Sequence, residues 1–586
     1  MPSRKNLVII RMDNIRFLLI FSFGLLVFML YQQWQIDYGP KPAVPQAVES
    51  VAANLKEGLP TVSGETAPAA ANAPAQASMA AVASAPASKT VKIKTDVLAL
   101  EIDLLGGTIQ NLDLLAYPVQ QSNTIVDAAR RLIGFEAETI DSNPVRLFNA
   151  AQDKYFIAQS GLISSQGSVS AANHLTVFAS SQDSYTLQDG QDSLTVPLTW
   201  TDSNGLTVTK AFTFTRGSYE IKLAQKIDNA SAQPWSGRQY SQLLRTPLKE
   251  NSGSALAGGM RAYNGGVVYT EKDKYKKIDF DDMREEVLDA GTKGGWAAFI
   301  QHYFASAWIP PAEQDNHFYT KWLQEDDRYV IGSYSPVVTV PANGSANLTA
   351  SLFAGPKIQP VMEKVAKGLE LTVDYSVLTF IGKPIYSLLN KIHSFTHNWG
   401  LAIIGVTFCI KLLMFPLTQA SFRSMAKLRK VQPRLKELQE RFADDRMRLN
   451  QEMMVLYKKE QVNPLGGCLP LLLQIPVFMC LYWVLGETVE FRQAPFVLWL
   501  QDLSVQDPFY ILPLIMGLTM KIQQGLNPAP VDPVQAKVIK LFPIIFTIFF
   551  LFFPAGLVLY WVVNNTLSIC QQMYITKQIE KAGLAS

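Results

Sequence analysis

The sequence predicts an α-helical polytopic membrane protein with six spans, five of them in one core, joined to an all-β sandwich domain. The apolar residues concentrate near the N-terminus and after about residue 398, in runs long enough to cross a bilayer. Between these regions the apolar residues alternate with period two, as in half-buried strands. At 586 residues the chain is long enough for more than one folded unit.

The first apolar run, Phe17 to Tyr31, follows four basic residues and is predicted to be a membrane anchor. A cleavable signal peptide is the alternative, but no small-x-small cleavage site follows Tyr31, which favours an uncleaved anchor. We therefore assign residues 1–36 to a cytoplasmic N-terminus and this anchor. Residues 37–90 are rich in Ala, Pro and Ser and are predicted to be a flexible linker, because such a composition cannot bury a core.

Residues 91–360 are predicted to form an antiparallel β-sandwich. Apolar residues alternate from Leu98 to Leu104 and end at Gly106-Gly107, a strand followed by a turn. Residues 206–214 and 219–223 alternate likewise around Arg216-Gly217-Ser218, which predicts a hairpin. Two interpretations stay open for this domain: a folded scaffold, or a sandwich with a cleft for a sugar or peptide.

Residues 361–397 precede the second apolar region and show helical spacing between Asp374 and Phe395, interrupted by Pro384. An amphipathic helix at this place is predicted to lie in the membrane interface.

Residues 398–578 are predicted to form the five-span core, with 579–586 as a cytoplasmic tail. Four apolar zones occur, at 399–417, 465–485, 509–520 and 541–569. The last zone is too long for one span and contains Phe553-Pro554-Ala555-Gly556, which predicts a turn between two short spans.

The charges between the spans predict the orientation. The segment 419–462 is strongly basic, which assigns it to the cytoplasm, whereas the loop 487–508 holds four acidic residues and one arginine. Both termini are then cytoplasmic, and residues 37–397 lie on the outer side of the membrane.

The basic segment 419–462 is also predicted to be a helical hairpin, because apolar residues recur at three-four spacing before and after Ala443-Asp444-Asp445. Pro433 is expected to kink or to start the first helix. Its basic residues either only fix the topology or also form a docking surface for a ribosome, a nascent chain or anionic lipid. The residues of that surface are Arg423, Lys427, Arg429, Lys430, Arg434 and Lys436.

Lys411 lies inside the second predicted span, where a lysine costs about 2.5–3.5 kcal/mol at the bilayer centre. It either snorkels to the inner headgroups or faces a hydrated cavity. Polar residues in the spans favour the cavity (Thr407, Gln474, Asn564 and Asn565), and no acidic residue lies deep in a span to neutralise the lysine. A wet cavity with a cation can hold the polar or acidic residues of another chain while they cross.

Other functional classes fit less well. The net charge of +3 and the absence of a basic run with aromatic residues give no reason to expect a nucleic-acid partner. No histidine follows His397, and no metal-ligand spacing or Ser-x-x-Lys motif lies in the spans, so neither an enzyme nor a cofactor is expected. A small-solute or ion transporter using Lys411 is the alternative; few spans and no paired carboxylate or detectable repeat disfavour it.

Several motifs in the C-terminal half resemble the YidC/Oxa/Alb insertase family. They occur in order over about 180 residues and include Asn398-Trp399-Gly400, Met414-Phe415-Pro416-Leu417-Thr418, Ser424-Met425-Ala426-Lys427, Val462-Asn463-Pro464-Leu465-Gly466-Gly467-Cys468 and Phe553-Pro554-Ala555-Gly556-Leu557. The segments Gln301-His302-Tyr303-Phe304 and Ser306-Ala307-Trp308-Ile309-Pro310 resemble the periplasmic domain of Gram-negative members.

This resemblance implies an insertase of the bacterial inner membrane that acts on nascent membrane proteins, alone or with the Sec translocon. It implies a five-helix core around a hydrophilic groove open to cytoplasm and lipid. The family's groove cation is commonly arginine and matches Lys411 here, while its groove threonine matches Thr407. A substrate-facing tyrosine of the family matches Trp561, beside Tyr560.

Overall fold

The computed structural model describes residues 89–121, 123–132, 141–165, 171–247, 262–375, 378–442, 445–460, 469–527 and 533–581. The predicted anchor Phe17–Tyr31 and the linker up to residue 88 lie outside these residues. The described residues comprise the β domain and the C-terminal helical domain.

The β domain consists of two large sheets packed face to face. One sheet has the order β13-β16-β17-β10-β5-β3-β2-β1-β6, with β18 beside β10 and β4 beside β3; the other has the order β12-β11-β14-β15-β19-β9-β8-β7. The strands are β1 Thr90–Lys94, β2 Leu98–Asp103, β3 Thr108–Pro118, β4 Pro144–Phe148, β5 Phe156–Ser164, β6 Ser184–Thr186, β7 Ser193–Thr201, β8 Leu206–Thr215, β9 Glu220–Asn229, β10 Trp235–Arg245, β11 Gly265–Thr270, β12 Lys274–Ile278, β13 Asp289–Lys293, β14 Trp296–Ile300, β15 Phe304–Ile309, β16 Asp315–Leu323, β17 Arg328–Tyr334, β18 Val338–Val340 and β19 Gly344–Pro356.

The predicted sandwich is confirmed, and its alternation has the expected cause. In the hairpin β8–β9, Phe212 and Phe214 face inward opposite Leu223 and Ile221, and all four are at most 1% exposed. The turn after β2 contains Gly106 and Gly107, both with positive φ. The named strand pairs are antiparallel except β1 with β6, which is parallel.

Eleven α-helices are described. They are α1 Thr124–Leu132, α2 Phe280–Glu285, α3 Gln359–Val365, α4 Thr379–Thr396, α5 Trp399–Leu413, α6 Phe415–Arg441, α7 Arg446–Lys459, α8 Leu469–Glu487, α9 Ile511–Leu526, α10 Pro533–Phe550 and α11 Ala555–Lys581. The helix predicted before the second apolar region is α4. It buries Ile385, Tyr386 and Leu389 on one side and exposes Lys383 and Lys391 on the other, so it is amphipathic.

The second predicted span, 399–417, is not one straight helix. The chain breaks at Met414, and the axes of α5 and α6 differ by 67°. Pro416 explains the break, because proline fits the first turn of a new helix better than the interior of an old one. Within the described ranges, no helix taken singly has the length and hydropathy of a membrane-spanning segment, whereas α5 and α6 meet that criterion together as a bent pair.

The predicted hairpin of the basic segment is present as α6 and α7. Val431 and Leu435 of α6 are buried against Met453, Leu456 and Tyr457 of α7. Pro433 lies inside α6 and does not start it, contrary to one of the two expectations. The side chain of Asp445 accepts a hydrogen bond from the backbone N–H of Arg448 and so begins α7.

The turn predicted at Phe553-Pro554-Ala555-Gly556 separates α10 from α11. Its backbone is bonded to the loop between α8 and α9: Ala555 N–H donates to the carbonyl of Val505 at 2.6 Å, and Gly556 N–H to that of Leu503 at 2.9 Å. The loop 487–508, called the outer loop below, therefore fixes the position where α11 begins.

Candidate functional site

The motif Asn398-Trp399-Gly400 positions α5. The Asn398 side chain accepts from Leu401 N–H, which caps the helix, and donates to the carbonyl of Phe496 in the outer loop at 3.0 Å. Trp399 stacks on His393 of α4, with ring centroids 4.0 Å apart. A side chain at position 400 would occupy the space of the Phe496 ring, so glycine is required for this close approach.

One side of α11 carries a row of buried polar residues. Asn564, Ser568 and Gln572 follow one another at intervals of four, so they lie along one side. All three are buried, as is Asn565. Buried amides and hydroxyls need partners, and several of these side chains bond residues of neighbouring helices, whereas Gln572 Oε1 has no hydrogen-bond partner.

Lys411 of α5 points to this face. Its Nζ donates to Ser568 Oγ at 2.7 Å, and Ser568 Oγ donates to the carbonyl of Asn564 at 2.8 Å. Lys411 is 9% exposed, and no carboxylate of the described residues pairs with it. The cation is therefore held by a hydroxyl and not by a counter-ion.

Two further amides join α11 to other helices. Gln474 of α8 donates to Asn564 Oδ1 at 2.7 Å, and Asn565 donates to Thr519 Oγ1 of α9 at 3.3 Å. Thr407 is buried on α5, but its hydroxyl bonds the carbonyl of Ile403 in its own helix. We call Lys411, Gln474, Thr519, Asn564, Asn565 and Ser568 the polar cluster.

The two aromatic residues predicted to meet substrate lie in an apolar environment. Tyr560 is 2% exposed and belongs to the hydrophobic core. Trp561 is half-buried and packs edge-on against Phe478, with centroids 4.8 Å apart, and beside Phe550 at 5.5 Å. Neither Tyr560 nor Trp561 belongs to the polar cluster.

The six basic residues predicted as a docking surface are all exposed on α6. Arg434 forms an ion pair with Glu460 at 2.5 Å, across the hairpin. The other five extend the charge along the outside of the helix (Arg423, Lys427, Arg429, Lys430 and Lys436).

Sequence reasoning missed Ser568 and Thr519, although Ser568 is the residue that Lys411 contacts. A signal was available, because Ser568 follows Asn564 by four residues and Gln572 follows by four more. The sequence also gave no indication of the bond between Gln571 of α11 and Thr418 of α6, at 2.6 Å.

Comparisons with known proteins match nearly the whole chain. Residues 124–388 match the family model of the YidC periplasmic domain, and residues 391–582 match that of the 60Kd inner membrane protein. A protein of Methylococcus capsulatus named membrane protein insertase YidC is 52% identical over 574 residues, covering 97% of this chain and 99% of its own. The chain belongs to the YidC family of membrane protein insertases.

Other YidC relatives give the same result. The proteins of Nitrosococcus oceani and Pseudomonas putida F1 carry the same name and are 45% and 46% identical, over 98% and 97% of this chain and 100% and 99% of theirs. A crystal structure of an active YidC insertase aligns with 83% of this chain and 92% of its own, at 16% identity and a TM-score of 0.36.

In this YidC-family chain, a buried junction joins the sandwich to the outer loop. Lys357, just after β19, forms an ion pair with Glu487 at the end of α8, at 3.1 Å, and their side chains are 2% and 9% exposed. Burial lowers the pKa of Lys357, and the nearby carboxylate of Glu487 opposes that shift. His302 bonds the carbonyl of Gly486 through Nε2 at 2.7 Å.

The junction continues along the outer loop. Arg492 donates to the carbonyls of Pro118 and Val119 at 2.7 and 3.0 Å, and Gln493 donates to Pro118 at 2.9 Å. Tyr386 of α4 donates to Glu490 at 2.6 Å. These side chains thus bond the sandwich to the helical domain. No local sequence pattern predicts which of them pair.

Proposed function

We propose that this chain is an insertase and folding chaperone for nascent proteins of the inner membrane, and that the polar cluster lines its substrate groove. The observation that carries the proposal is Lys411, a buried cation held by Ser568 with no carboxylate partner among the described residues, in a chain of the YidC family. The relatives are named insertases, and nothing supports the transporter alternative.

The cluster suits transient contact with a crossing segment. A carboxylate taken into an apolar environment loses its hydration, and a nearby ammonium group and amide donors offset part of that cost. Lys411 supplies the charge, while Gln474 and Asn565 supply amides on two other helices. Thr407 is assigned to the same groove by family resemblance, and Tyr560 and Trp561 to its apolar wall.

We propose the following topology for the chain. Residues 1–36 form the cytoplasmic N-terminus and first anchor, 37–90 a linker, 91–360 the periplasmic sandwich, 361–397 the interfacial helix, and 398–578 five spans with the hairpin 419–462. Residues 579–586 are a cytoplasmic tail. The charge difference between the hairpin and the outer loop supports this orientation.

The hairpin α6–α7 is proposed as the cytoplasmic docking surface, for a ribosome or anionic lipid; work with the Sec translocon is proposed from the family resemblance alone. The support is the exposed basic face of α6 (Arg423, Lys427, Arg429, Lys430, Arg434 and Lys436). Reversing Arg423, Lys427 and Lys430 to Glu is expected to weaken co-sedimentation with ribosomes or anionic vesicles, and to do so more at low salt. Unchanged co-sedimentation with both would contradict this role.

The groove is tested by reconstitution. Proteoliposomes holding only this protein receive a short single-span protein with an acidic translocated tail, and protection of the tail from protease is measured. Wild type, Lys411→Arg and Lys411→Leu are compared, with Lys521→Leu as a control because Lys521 is an exposed lysine on α9.

We expect wild type, Lys411→Arg and Lys521→Leu to insert, and Lys411→Leu to fail with the acidic tail but to retain insertion of a neutral tail. Equal insertion of the acidic tail by wild type and all three variants would mean that the charge of Lys411 is not used. Protection no greater than with empty liposomes would mean that the protein works only as a partner of another translocase.

A further inference from the structure

The short helix α1 of the sandwich domain has an apolar side that faces away from the protein. Ile125, Ala128, Ala129 and Leu132 follow the i, i+3, i+4, i+7 pattern of one helix face. Ile125 is 43% exposed and Leu132 is 87% exposed, while the helix contacts the domain through Val126, which is buried. An amphipathic helix in a water-soluble domain normally buries this stripe, and here it is turned outward.

The bonds of α1 place it beside the outer loop. Asn123 caps the helix, since its Oδ1 accepts from Val126 N–H at 3.2 Å, and its Nδ2 donates to the carbonyl of Trp499 at 2.8 Å. The chain before it is held by Arg492, through the carbonyls of Pro118 and Val119. Both ends of the segment that leads into α1 are therefore bonded to a loop that connects two helices of the membrane domain.

The outer loop exposes apolar residues at the same place. Leu498, next to Trp499, is 66% exposed and adopts φ 52°, an uncommon backbone conformation for leucine. Val497 is 48% exposed, and Tyr510, which precedes α9, is 44% exposed. Tyrosine at the end of a membrane helix is typical of the headgroup region.

We propose that α1 and the tip of the outer loop dock onto the outer leaflet of the bilayer, with Ile125, Leu132 and Leu498 entering its headgroup and acyl boundary. The occupant is lipid because the outward stripe begins beside a loop whose two ends are membrane helices. A helix of this kind lies in the interface plane with its apolar face about 5–10 Å deep. The sandwich would then touch the bilayer directly, in addition to its junction with the helical domain at Lys357 and Glu487.

The test uses the full-length protein in lipid nanodiscs of phosphatidylethanolamine and phosphatidylglycerol, with the native cysteines replaced. A spin label is attached at Leu132→Cys, and its collisions with oxygen and with a water-soluble nickel chelate are compared. The matched control is Val177→Cys, an equally apolar residue that is 67% exposed. Val177 pairs with Leu105, which lies just before β3. Pro118, from which the chain leads into α1, is at the other end of β3, roughly 33 Å away along the strand.

We expect the label at position 132 to collide more with oxygen than with the nickel chelate, and the label at position 177 to show the reverse. Equal access of the chelate to both labels would overturn the proposal. A label at 132 that is immobilised and shielded from both agents would also overturn it, because a protein surface would then cover the stripe. The readout does not depend on insertion, so it is separable from the proposed function.

Discussion

The ion pair between Lys357 and Glu487 offers a sharp test of the junction. In Glu487→Gln the lysine keeps its buried position, 2% exposed, but loses its carboxylate partner. Removing one partner of a buried pair costs about 3–5 kcal/mol, because it leaves an uncompensated charge.

The lysine can limit this cost by losing its proton. Deprotonating an ordinary lysine with a pKa of about 10.4 at pH 7 costs about 4.6 kcal/mol, at about 1.36 kcal/mol for each pH unit. The charge-related destabilisation therefore cannot exceed about 4.6 kcal/mol, which lies within the range for a broken pair. In the remaining contact, Lys357 Nζ donates to the carbonyl of Thr372 at 3.3 Å.

The stability of Glu487→Gln should also depend on pH. Burial holds the pKa of Lys357 below its unfolded value, and Glu487 opposes this, so the variant has the lower folded-state pKa. In the folded state the variant then binds fewer protons than the unfolded chain, and its stability rises with pH up to about 10.4. The difference between variant and wild type should be largest near pH 7 and shrink toward pH 10.

Hydrogen exchange measures the loss of stability locally, as reduced protection of residues 357–373 and of the C-terminal end of α8. A cost of about 3–4 kcal/mol corresponds to a loss of protection of about 10²- to 10³-fold. Glu363→Gln is the control, since Glu363 is exposed on α3, and Lys357→Met with Glu487→Met should recover most protection. Protection unchanged in Glu487→Gln, or reduced equally at pH 7 and pH 10, would refute the reasoning.

Two further predictions concern single buried positions. Lys210 is fully buried and donates to the carbonyls of Gly106 and Ser160, and burial lowers its pKa to about 7. Because the folded-state pKa of Lys210 lies below its unfolded value, the free energy of unfolding should rise between pH 7 and 10. Thermal unfolding of Lys210→Met should show a flatter rise. The exposed Lys226→Met should show the same rise as wild type. Gly400→Ala should lower the free energy of unfolding by about 1–3 kcal/mol, because the new methyl group falls on the Phe496 ring. A methyl group at position 525 would meet open space, so Gly525→Ala should leave the free energy of unfolding unchanged or raise it slightly. Thermal unfolding compares the two variants, and equal effects of the two substitutions would contradict this packing.

The sandwich was predictable because strand alternation is a local signal. In β8 and β9 every second residue is buried, and the printed sequence already shows that period. The helical hairpin was predictable for the same reason, through the three-four spacing of α6 and α7. The break at Met414 was not predicted, because the hydropathy of 399–417 suggested one span although Pro416 marked a new helix.

The polar cluster was predicted in part. Lys411, Gln474, Asn564 and Asn565 stand out among apolar residues, but Ser568 is a small hydroxyl that apolar helices tolerate without functional reason. The junction could not be predicted, since Lys357 and Glu487 are 130 residues apart and no local periodicity relates them. Only the packing of the sandwich against the helical domain brings those two side chains together.

If the polar cluster lines the proposed groove, the hydrogen bonds within the cluster bear on how long a client protein stays there. Lys411 already donates to Ser568, and Gln474 already donates to Asn564, so a client chain in the proposed groove would have to compete with these bonds. Exchanging one neutral hydrogen bond for another changes the free energy little, because even a newly formed neutral bond contributes only about 0.5–1.5 kcal/mol net. In the proposed groove this arrangement would favour rapid dissociation of a client over tight binding, which suits a protein that must release every client it handles.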